Sequence, residues 1–302
     1  MSEERWLKRV NVSSVHDFIR CRRRWIYAWY LGRVPRVEAP ALVFGKLLHL
    51  VFETHFDGVP MEEALARAKK FAKSHAKIAG TREEETSWNL GLKELEYYEP
   101  VLKHWTDTYP ITRTLEVETS FQMSLPNGVE LVGRPDRVVV IWDSMYHVQN
   151  RGLADKIPLA LYTELGMRNL HELVYAWALK QKYPEIPYGG TVYNILRKVT
   201  LQDRKGKDKF VPPYNSVMGQ KLVPMLTPRI EEAVAKVVYY TDEMERTVAL
   251  WESGKMVGDN DLMDGGPYRN SRDPYFEVLL GARSINDDRY FKDRVNLYPE
   301  IT

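Results

Sequence analysis

The stretch that decides the fold spans residues 129–151 and reads VELVGRPDRVVVIWDSMYHVQNR. It contains two apolar, β-branched runs, 129–142 and 145–151, each of which predicts a strand. The turn formers Asp143 and Ser144 separate the two runs, so we expect a hairpin with these two residues at its tip. The sequence therefore predicts an antiparallel hairpin near the middle of the chain.

The segments around this hairpin predict an α/β core. A third strand, 114–125, precedes the hairpin and is joined to it by the turn signal Pro126-Asn127-Gly128, so the three strands form a meander. Apolar residues at helical spacing predict helices on both sides of the meander, and a β-branched run predicts one more strand. These further segments are a capped helix from Ser13 to about Gly32, helices 43–56, 61–79, 83–109 with a break at Gly91, 159–183 and 227–251, and a strand 190–199. The order helix, three strands, helix, strand is typical of a mixed sheet flanked by helices.

The length and composition favour one large globular domain. We expect a single domain over residues 1–302, with a helical lobe at 57–110 and a helical extension and cap at 200–302. The 302 residues with 44% hydrophobic content suffice for a substantial core. No apolar run approaches the roughly 18 residues that a membrane helix needs, and the N-terminus is charged rather than signal-like, so we expect a cytoplasmic protein without a membrane partner.

The cysteine content excludes some kinds of site, and the charge content limits how the chain could bind nucleic acid. A single cysteine, Cys21, excludes an intramolecular disulfide and a zinc site of several cysteines, and we expect it to be a packed free thiol. The 43 basic and 41 acidic residues give a net charge of +2, so nucleic-acid binding would depend on local patches. Two patches suit phosphate contacts, and a solvated helix face or loop is the alternative for each. They are Arg20, Arg22, Arg23 and Arg24 on the first helix, among aromatic residues, and Arg204, Lys205, Lys207 and Lys209 in a predicted loop at 199–213.

The hairpin carries a candidate metal site. Asp136 is a carboxylate among apolar neighbours, and the expected register places it opposite Arg151, with Gln149 on the same side and Asn150 on the other. A carboxylate with further oxygen or imidazole ligands suits Mg2+ or Mn2+ and phosphodiester hydrolysis. We expect Asp136 to be the anchor ligand, with Arg151 as a cation that steadies developing negative charge. Further ligands are expected from the Gln149 amide oxygen, the Asn150 main-chain carbonyl and His49 on the preceding helix.

Each of these residues alone also has a structural interpretation. An Asp opposite an Arg is commonly an ion pair, and a lone histidine on a helix is commonly structural. Glu118 is an extra acid for the site, although with Glu116 it also fits a solvated strand face. Gly45 stands one turn before His49, where a glycine costs roughly 1 kcal/mol relative to alanine. That cost indicates either a close approach to the backbone or helix packing, and the convergence of the residues favours a site.

Four motifs in this order resemble those of the PD-(D/E)XK nucleases, in particular the RecB-like branch with the CRISPR-associated RecB-like exonucleases. Gly45 to His49 resembles the G-x-x-x-H motif, and Gly133 to Asp136 the G-x-x-D motif. Gln149-Asn150-Arg151 stands at the position of the (D/E)-x-K motif, and His171 to Tyr175 at that of Q-x-x-x-Y. The resemblance extends from about Asn11 through Val199.

The resemblance implies a restriction-endonuclease-like core with an inserted helical lobe. It implies metal-dependent DNA cleavage with Mn2+ or Mg2+, exonuclease-like action on single-stranded or frayed DNA, and partner proteins of recombination or repair. It also places His171 and Tyr175 beside the active site and the DNA. The iron-sulfur cysteines found in part of this branch are absent from residues 264–284, so no iron-sulfur cluster is expected.

Three departures from the family pattern leave two functions open. Gln149 replaces a carboxylate, which weakens metal binding; Arg151 replaces the catalytic lysine and stays protonated; His171 stands in place of a glutamine. The first function is a DNA nuclease. The second is a catalytically impaired DNA-binding module of the same fold in a recombination, repair or packaging complex.

Overall fold

The computed structural model describes residues 8–153, 169–197, 218–224, 227–255, 275, 278 and 283–294. The helices are α1 Val12–Arg20, α2 Arg22–Trp25, α3 Pro40–Phe56, α4 Met61–Ile78, α5 Arg82–Leu102, α6 Leu170–Lys182 and α7 Thr227–Glu252, and a π-helical turn covers Ile26–Tyr30. The strands are β1 Arg9–Val10, β2 Arg33–Pro35, β3 Ile111–Val117, β4 Phe121–Ser124, β5 Glu130–Gly133, β6 Arg137–Ile141, β7 Ser144–Leu153, β8 Tyr188–Arg197, β9 Met218–Pro224 and β10 Phe291–Asp293. None of these helices combines the length and apolarity of a membrane span.

The chain forms two compact units. The first unit consists of residues 1–36, 120–133 and 231–302, and the second of 37–119 and 134–230. Within the first unit, β5 pairs with β1 and β4 in a small sheet, and β10 pairs with β2. The second unit contains α3 to α6 and a five-stranded sheet.

The five-stranded sheet has the order β3-β6-β7-β8-β9, with β7 and β8 parallel and the other pairs antiparallel. Side chains alternate between its two faces. Val139 and Val148 pack with other apolar residues on one face, whereas Val138 packs with Leu179 of α6 on the other. The predicted α/β class with a mixed sheet flanked by helices is confirmed.

The predicted register of the central hairpin is wrong by one residue at the turn. The two tip residues are Trp142 and Asp143, with φ of 49° and 64°, so that Ile141 pairs with Ser144. Two successive left-handed residues give a turn whose twist matches that of the strands, and Ser144 becomes the first strand residue. Asp136 therefore does not lie opposite Arg151, because β6 ends its pairing with Arg137 opposite Val148.

Two of the predicted strands are each broken in the middle. The predicted strand 114–125 divides into β3 and β4, and the predicted strand 129–142 divides into β5 and β6. Glu118 adopts a left-handed conformation with φ of 46°, which no regular strand contains, and Pro135 has no N–H to donate to a ladder. The pieces join different sheets, so the predicted single meander is wrong. Glu118 and Asp136 consequently lie at the strand breaks.

The first predicted helix is correct in its extent but not in its continuity. Its cap is Asn11, whose side chain accepts the N–H of Ser14, rather than Ser13 or Ser14. The helix is interrupted at Cys21, which is extended and whose Sγ accepts the N–H of Arg24. Cys21 is a free, buried thiol, as predicted.

Three helices of the second unit share a core. The predicted helix 61–79 is confirmed as α4, and α3 begins earlier than predicted, at Pro40. The predicted break at Gly91 is wrong, because α5 passes through it without interruption. A Cβ atom on Gly91 would lie 2.5 Å from Cγ1 of Val43, so this glycine permits α5 to pack closely on α3. The helix ends at Leu102 rather than Tyr109.

The later predicted elements are partly described. α6, β8 and α7 lie within or close to the predicted segments 159–183, 190–199 and 227–251. Residues 154–168 and 198–217 lie outside the described residues, and so does the predicted basic loop with Arg204, Lys205, Lys207 and Lys209. Of the residues after α7, 253–255, 275, 278 and 283–294 are described.

Candidate metal centre

His49 is placed by the amphipathic character of α3. Leu47, Leu48 and Val51 are buried in the core of the second unit. His49 lies on the neighbouring face of the helix, and 42% of its side chain is exposed. The imidazole is therefore accessible beside Glu118 and Asp136.

Glu118 and Asp136 are placed by the two strand breaks. The N–H of Glu118 donates to the carbonyl of Asp136 at 3.1 Å, which extends the β3–β6 ladder by one bond beyond its last pair. The Asp136 carboxylate accepts the peptide N–H of Asn150 in β7 at 2.6 Å. Both side chains are largely buried, with 8% exposure for Glu118 and 11% for Asp136. The backbone thus fixes two carboxylates in a poorly solvated place.

The three side chains converge. One ligand atom of each of His49, Glu118 and Asp136 lies within 4.8 Å of the others, and this is the one such trio of His, Cys, Asp and Glu among the described residues. Nδ1 of His49 is 3.6 Å from Oε1 of Glu118 and 3.5 Å from Oδ1 of Asp136. An imidazole and two carboxylates therefore surround a small common space.

Burial and the neighbouring charges shift the pKa values of His49 and Asp136. Burial lowers the pKa of His49, but the hydrogen bond and charge of Glu118 and the charge of Asp136 outweigh it and raise the pKa to about 9. Burial raises the pKa of Asp136 from 3.8 to about 6, against the opposing charge of His49. At neutral pH the imidazole is therefore protonated between two carboxylates, and it neutralises charge that a metal ion would otherwise neutralise.

A fourth group, Arg134, completes the charge balance. Its Nε lies 3.0 Å from Oε2 of Glu118, and 40% of its side chain is exposed. The sequence interpretation had assigned no role to Arg134. Without a metal ion, two cations face two anions.

The comparison with known families agrees with this geometry. The family model described as the PD-(D/E)XK nuclease superfamily matches residues 9–253. The chain belongs to this superfamily. Its mixed sheet and flanking helices are the restriction-endonuclease-like core of that superfamily, as predicted. No curated protein matches the chain.

Proteins of the PD-(D/E)XK superfamily are generally nucleases that use divalent metal ions, and the superfamily implies DNA as the substrate. The trio of this chain fits such an ion, because carboxylate oxygens suit Mg2+ and Mn2+ and an imidazole nitrogen is a further ligand. The buried carboxylate of Asp136 supports this fit, since burial raises its pKa and a bound cation would favour its charged form. His49 and Asp136 were predicted as ligands, and Glu118 was predicted as an extra acid.

The remaining predicted members of the superfamily motif have other contacts. The Gln149 amide nitrogen lies 3.1 Å from Nδ1 of His171. The Asn150 side chain is buried and accepts a hydrogen bond from the Asn194 amide at 2.8 Å. Arg151 lies in β7, where its backbone pairs with Ile195, and its side chain is outside the described residues. Metal binding by Gln149 and Asn150, and the role of Arg151, stay predictions.

The motif on α6 contacts residues beside the site. The rings of His171 and Tyr175 are 4.2 Å apart, and the Tyr175 hydroxyl contacts the main chain of Arg134. A pair that sequence reasoning missed anchors this helix: Nε2 of His147 lies 2.5 Å from Oε2 of Glu172, and both side chains are buried. The position of His147 in β7, two residues before Gln149, is the sequence signal that it faces the same side of the sheet.

The four arginines of the predicted DNA-binding patch have different surroundings. Arg22 pairs with Glu243 at 3.2 Å, and Arg24 lies 3.6 Å from Asp17. Arg23 is partly buried, and Arg20 is exposed. All of these residues belong to the first unit, and their binding of DNA stays a prediction.

Gly45 of the G-x-x-x-H motif faces open space. A Cβ atom at this position would meet no atom of the described residues within 4 Å. Helix packing, the alternative explanation for this glycine, is therefore wrong for the described residues, whereas close approach of a substrate to the α3 backbone remains consistent with its surroundings.

Proposed function

We propose that this protein is a metal-dependent DNA nuclease of the RecB-like branch of the PD-(D/E)XK superfamily, with exonuclease-like action on single-stranded or frayed DNA. The observation that carries the proposal is the convergence of His49, Glu118 and Asp136 within 4.8 Å in a chain of this superfamily. The order of the four motifs supports the branch. An imidazole in the ligand set favours Mn2+ over Mg2+.

The two carboxylates and the imidazole of the trio would contribute different ligand atoms to the ion. Glu118 and Asp136 provide negative oxygens, and the backbone hydrogen bonds at residues 118, 136 and 150 hold them in place before an ion arrives. His49 would release its proton to solvent and offer a neutral nitrogen. The bound ion would supply Lewis-acid activation of water and charge stabilisation at phosphorus.

The electrostatics favour a phosphodiester substrate once the ion is bound. Two carboxylates, one guanidinium, a neutral imidazole and a divalent cation leave a net positive charge at the site. A phosphodiester carries one negative charge and gains more in its transition state, so a positive site binds it and stabilises its hydrolysis. We propose that Gln149, the Asn150 carbonyl and Arg151 complete this environment, and that Arg20, Arg22, Arg23, Arg24, His171 and Tyr175 contact the DNA.

The test is the release of nucleotides from end-labelled single-stranded and duplex DNA in Mn2+. The Asp136→Asn variant keeps the shape of the side chain but removes its negative charge, so we expect a loss of about 100-fold or more in rate. Asp57→Asn, an exposed residue at the end of α3, is the matched control and should cleave as the wild type does. Equal rates for wild type and Asp136→Asn would refute the proposal.

A second candidate function is a DNA-binding module that has lost catalysis and serves a recombination, repair or packaging complex. The contact of the Gln149 amide with His171, at the position of the family's carboxylate, favours it. In this case the wild type does not cleave DNA, and the double variant Gln149→Glu, Arg151→Lys gains cleavage. DNA affinity should fall steeply with salt in both cases.

A further inference from the structure

The Tyr175 side chain holds the backbone of Arg134 through two hydrogen bonds. The N–H of Arg134 donates to the Tyr175 hydroxyl at 3.2 Å, and that hydroxyl donates to the carbonyl of Arg134 at 3.4 Å. Residue 134 lies in the break between β5 and β6 and belongs to none of the strand pairs formed by the described residues. The Tyr175 hydroxyl therefore bonds the N–H and carbonyl that a neighbouring strand would otherwise pair. It fixes the backbone position of Arg134.

The guanidinium of Arg134 is held at one nitrogen. Its Nε lies 3.0 Å from Glu118, whose side chain is 8% exposed, while the arginine side chain is 40% exposed. Among the described residues, its two terminal nitrogens have no hydrogen-bond partner. The planar group is thus oriented by Glu118 and still presents terminal donors beside the metal trio.

Arg137, three residues later, shows the contrast. Its Nη1 donates to Asp107 at 3.0 Å, and its Nε and Nη2 donate to Thr114. It lies over the ring of Phe56 and its side chain is 9% exposed. Arg137 is engaged on all of its nitrogens and is structural, whereas Arg134 retains binding capacity.

We propose that Arg134 binds the scissile phosphodiester of the substrate through its terminal nitrogens, and that Tyr175 is a positioning residue for Arg134. This inference rests on the proposed nuclease function and identifies the phosphate-binding cation of the same site. A guanidinium suits this role because its forked N–H groups match two phosphate oxygens and its charge is permanent. Contact with the phosphate also stabilises the charge that develops on it in the transition state.

Binding of a phosphate monoester tests the inference without cleavage. The probe is thymidine 5′-monophosphate, titrated into the full-length protein in the presence of Mn2+. We expect Arg134→Met to weaken its affinity about tenfold or more, and Arg134→Lys to weaken it less, because lysine keeps the charge but not the fork. The affinity for Mn2+ alone should be unchanged or increased, since a cation beside Glu118 is removed.

The matched control is Arg67→Met. Arg67 lies on α4 and pairs with Glu63 at 2.6 Å, so this variant also breaks an arginine–glutamate pair of the second unit, one that includes no member of the trio. It should change neither affinity. Two results would overturn the inference. In the first, Arg134→Met binds the probe as tightly as the wild type; in the second, the wild type does not bind the probe.

The Tyr175 hydroxyl is tested by a double-mutant cycle. Tyr175→Phe should weaken the binding of thymidine 5′-monophosphate about three- to tenfold in the wild type, and have no further effect in Arg134→Met, because the positioned group is already absent. Tyr239→Phe, at an exposed tyrosine of α7, is the control and should have no effect. Equal effects of Tyr175→Phe in both backgrounds would show a merely structural role and overturn the positioning part.

The proposed nuclease function and the proposed phosphate binding by Arg134 can be refuted independently. A wild type that cleaves DNA while Arg134→Met binds the probe and cleaves normally refutes the inference and leaves the nuclease intact. A wild type that binds Mn2+ and the probe through Arg134 but does not cleave DNA refutes the nuclease and leaves the phosphate site intact.

Discussion

His49 is the residue of the proposed metal site at which a metal ion and a proton would compete. Its pKa of about 9 arises because Glu118 and Asp136 stabilise the imidazolium more than burial destabilises it. A metal ion needs the neutral imidazole, so the same carboxylates that attract the ion also retain the proton. Binding of the divalent ion would therefore release the proton of His49.

This exchange predicts a pH dependence of Mn2+ affinity. Below the His49 pKa of about 9, each bound ion must displace one proton, so affinity should rise about tenfold per pH unit between pH 6.5 and 8.5. Below a pH of about 6, the raised pKa of Asp136 adds a second proton and steepens the dependence. Calorimetry in buffers of different ionisation enthalpy measures both the affinity and the protons released.

The matched variant is His49→Gln, which keeps a ligand atom but has no proton to lose. Its Mn2+ affinity should be weaker at pH 8.5 and nearly constant over the same range. A wild type whose affinity does not change with pH would show that His49 is not a ligand.

At the scale of elements, two glycines inside helices differ in what surrounds them. Gly91 in α5 has Cγ1 of Val43 2.5 Å from the position of a Cβ atom and the Phe44 nitrogen at 3.1 Å, whereas Gly45 in α3 has no neighbour within 4 Å among the described residues. Alanine normally stabilises a helix by about 1 kcal/mol over glycine, and an overpacked contact costs about 1–3 kcal/mol. The two sites therefore separate helix propensity from packing.

Gly91→Ala should lower the free energy of unfolding by about 1–2 kcal/mol, because α3 and α5 must move apart. Gly45→Ala should raise it by up to about 1 kcal/mol and, if the substrate approaches α3 there, reduce DNA cleavage. Chemical denaturation monitored by tryptophan fluorescence measures both. Stabilisation by Gly91→Ala would contradict the close helix crossing.

The helices and the site residues of this chain could be predicted more accurately than its strand connections. α4 and α7 follow from apolar periodicity alone, and His49 and Asp136 follow from their motifs. The strand breaks could not be predicted, because the left-handed Glu118 depends on a hydrogen bond to Asp136, a residue distant in sequence. Glu118 was therefore recognised only as an extra acid, although it is a full member of the trio.

The hairpin register shows how a local error spreads along an element. A turn at Trp142 and Asp143 instead of Asp143 and Ser144 shifts every pair across the hairpin. The residues after the turn were correctly recognised as a strand, but which of them oppose Asp136 depends on the conformation of two tip residues. Arg134 was assigned no role, because its ion pair with Glu118 joins residues on either side of the strand breaks.

At the scale of the whole molecule, the proposed metal ligands belong to one of the two compact units. His49, Glu118 and Asp136 all lie in the second unit, although residues 120–133 between the two acids belong to the first. A ligand that binds only folded protein stabilises the part that it holds together. Metal binding therefore acts on segments that are distant in the chain but belong to the same unit.

Hydrogen exchange should reveal this distribution. At Mn2+ concentrations 100-fold above the dissociation constant, binding adds about 2.7 kcal/mol to the free energy of opening for segments whose opening destroys the site. We expect the added protection in α3, β3, β6 and the part of β7 around Asn150, which carry or hold the proposed ligands, and a smaller effect in β4 and β5 of the first unit. In Asp136→Asn, Mn2+ should add little protection anywhere, because the anchor carboxylate is gone. Equal added protection in β4, β5 and β6 would mean that the two units open together, and added protection confined to the first unit would place the metal site elsewhere.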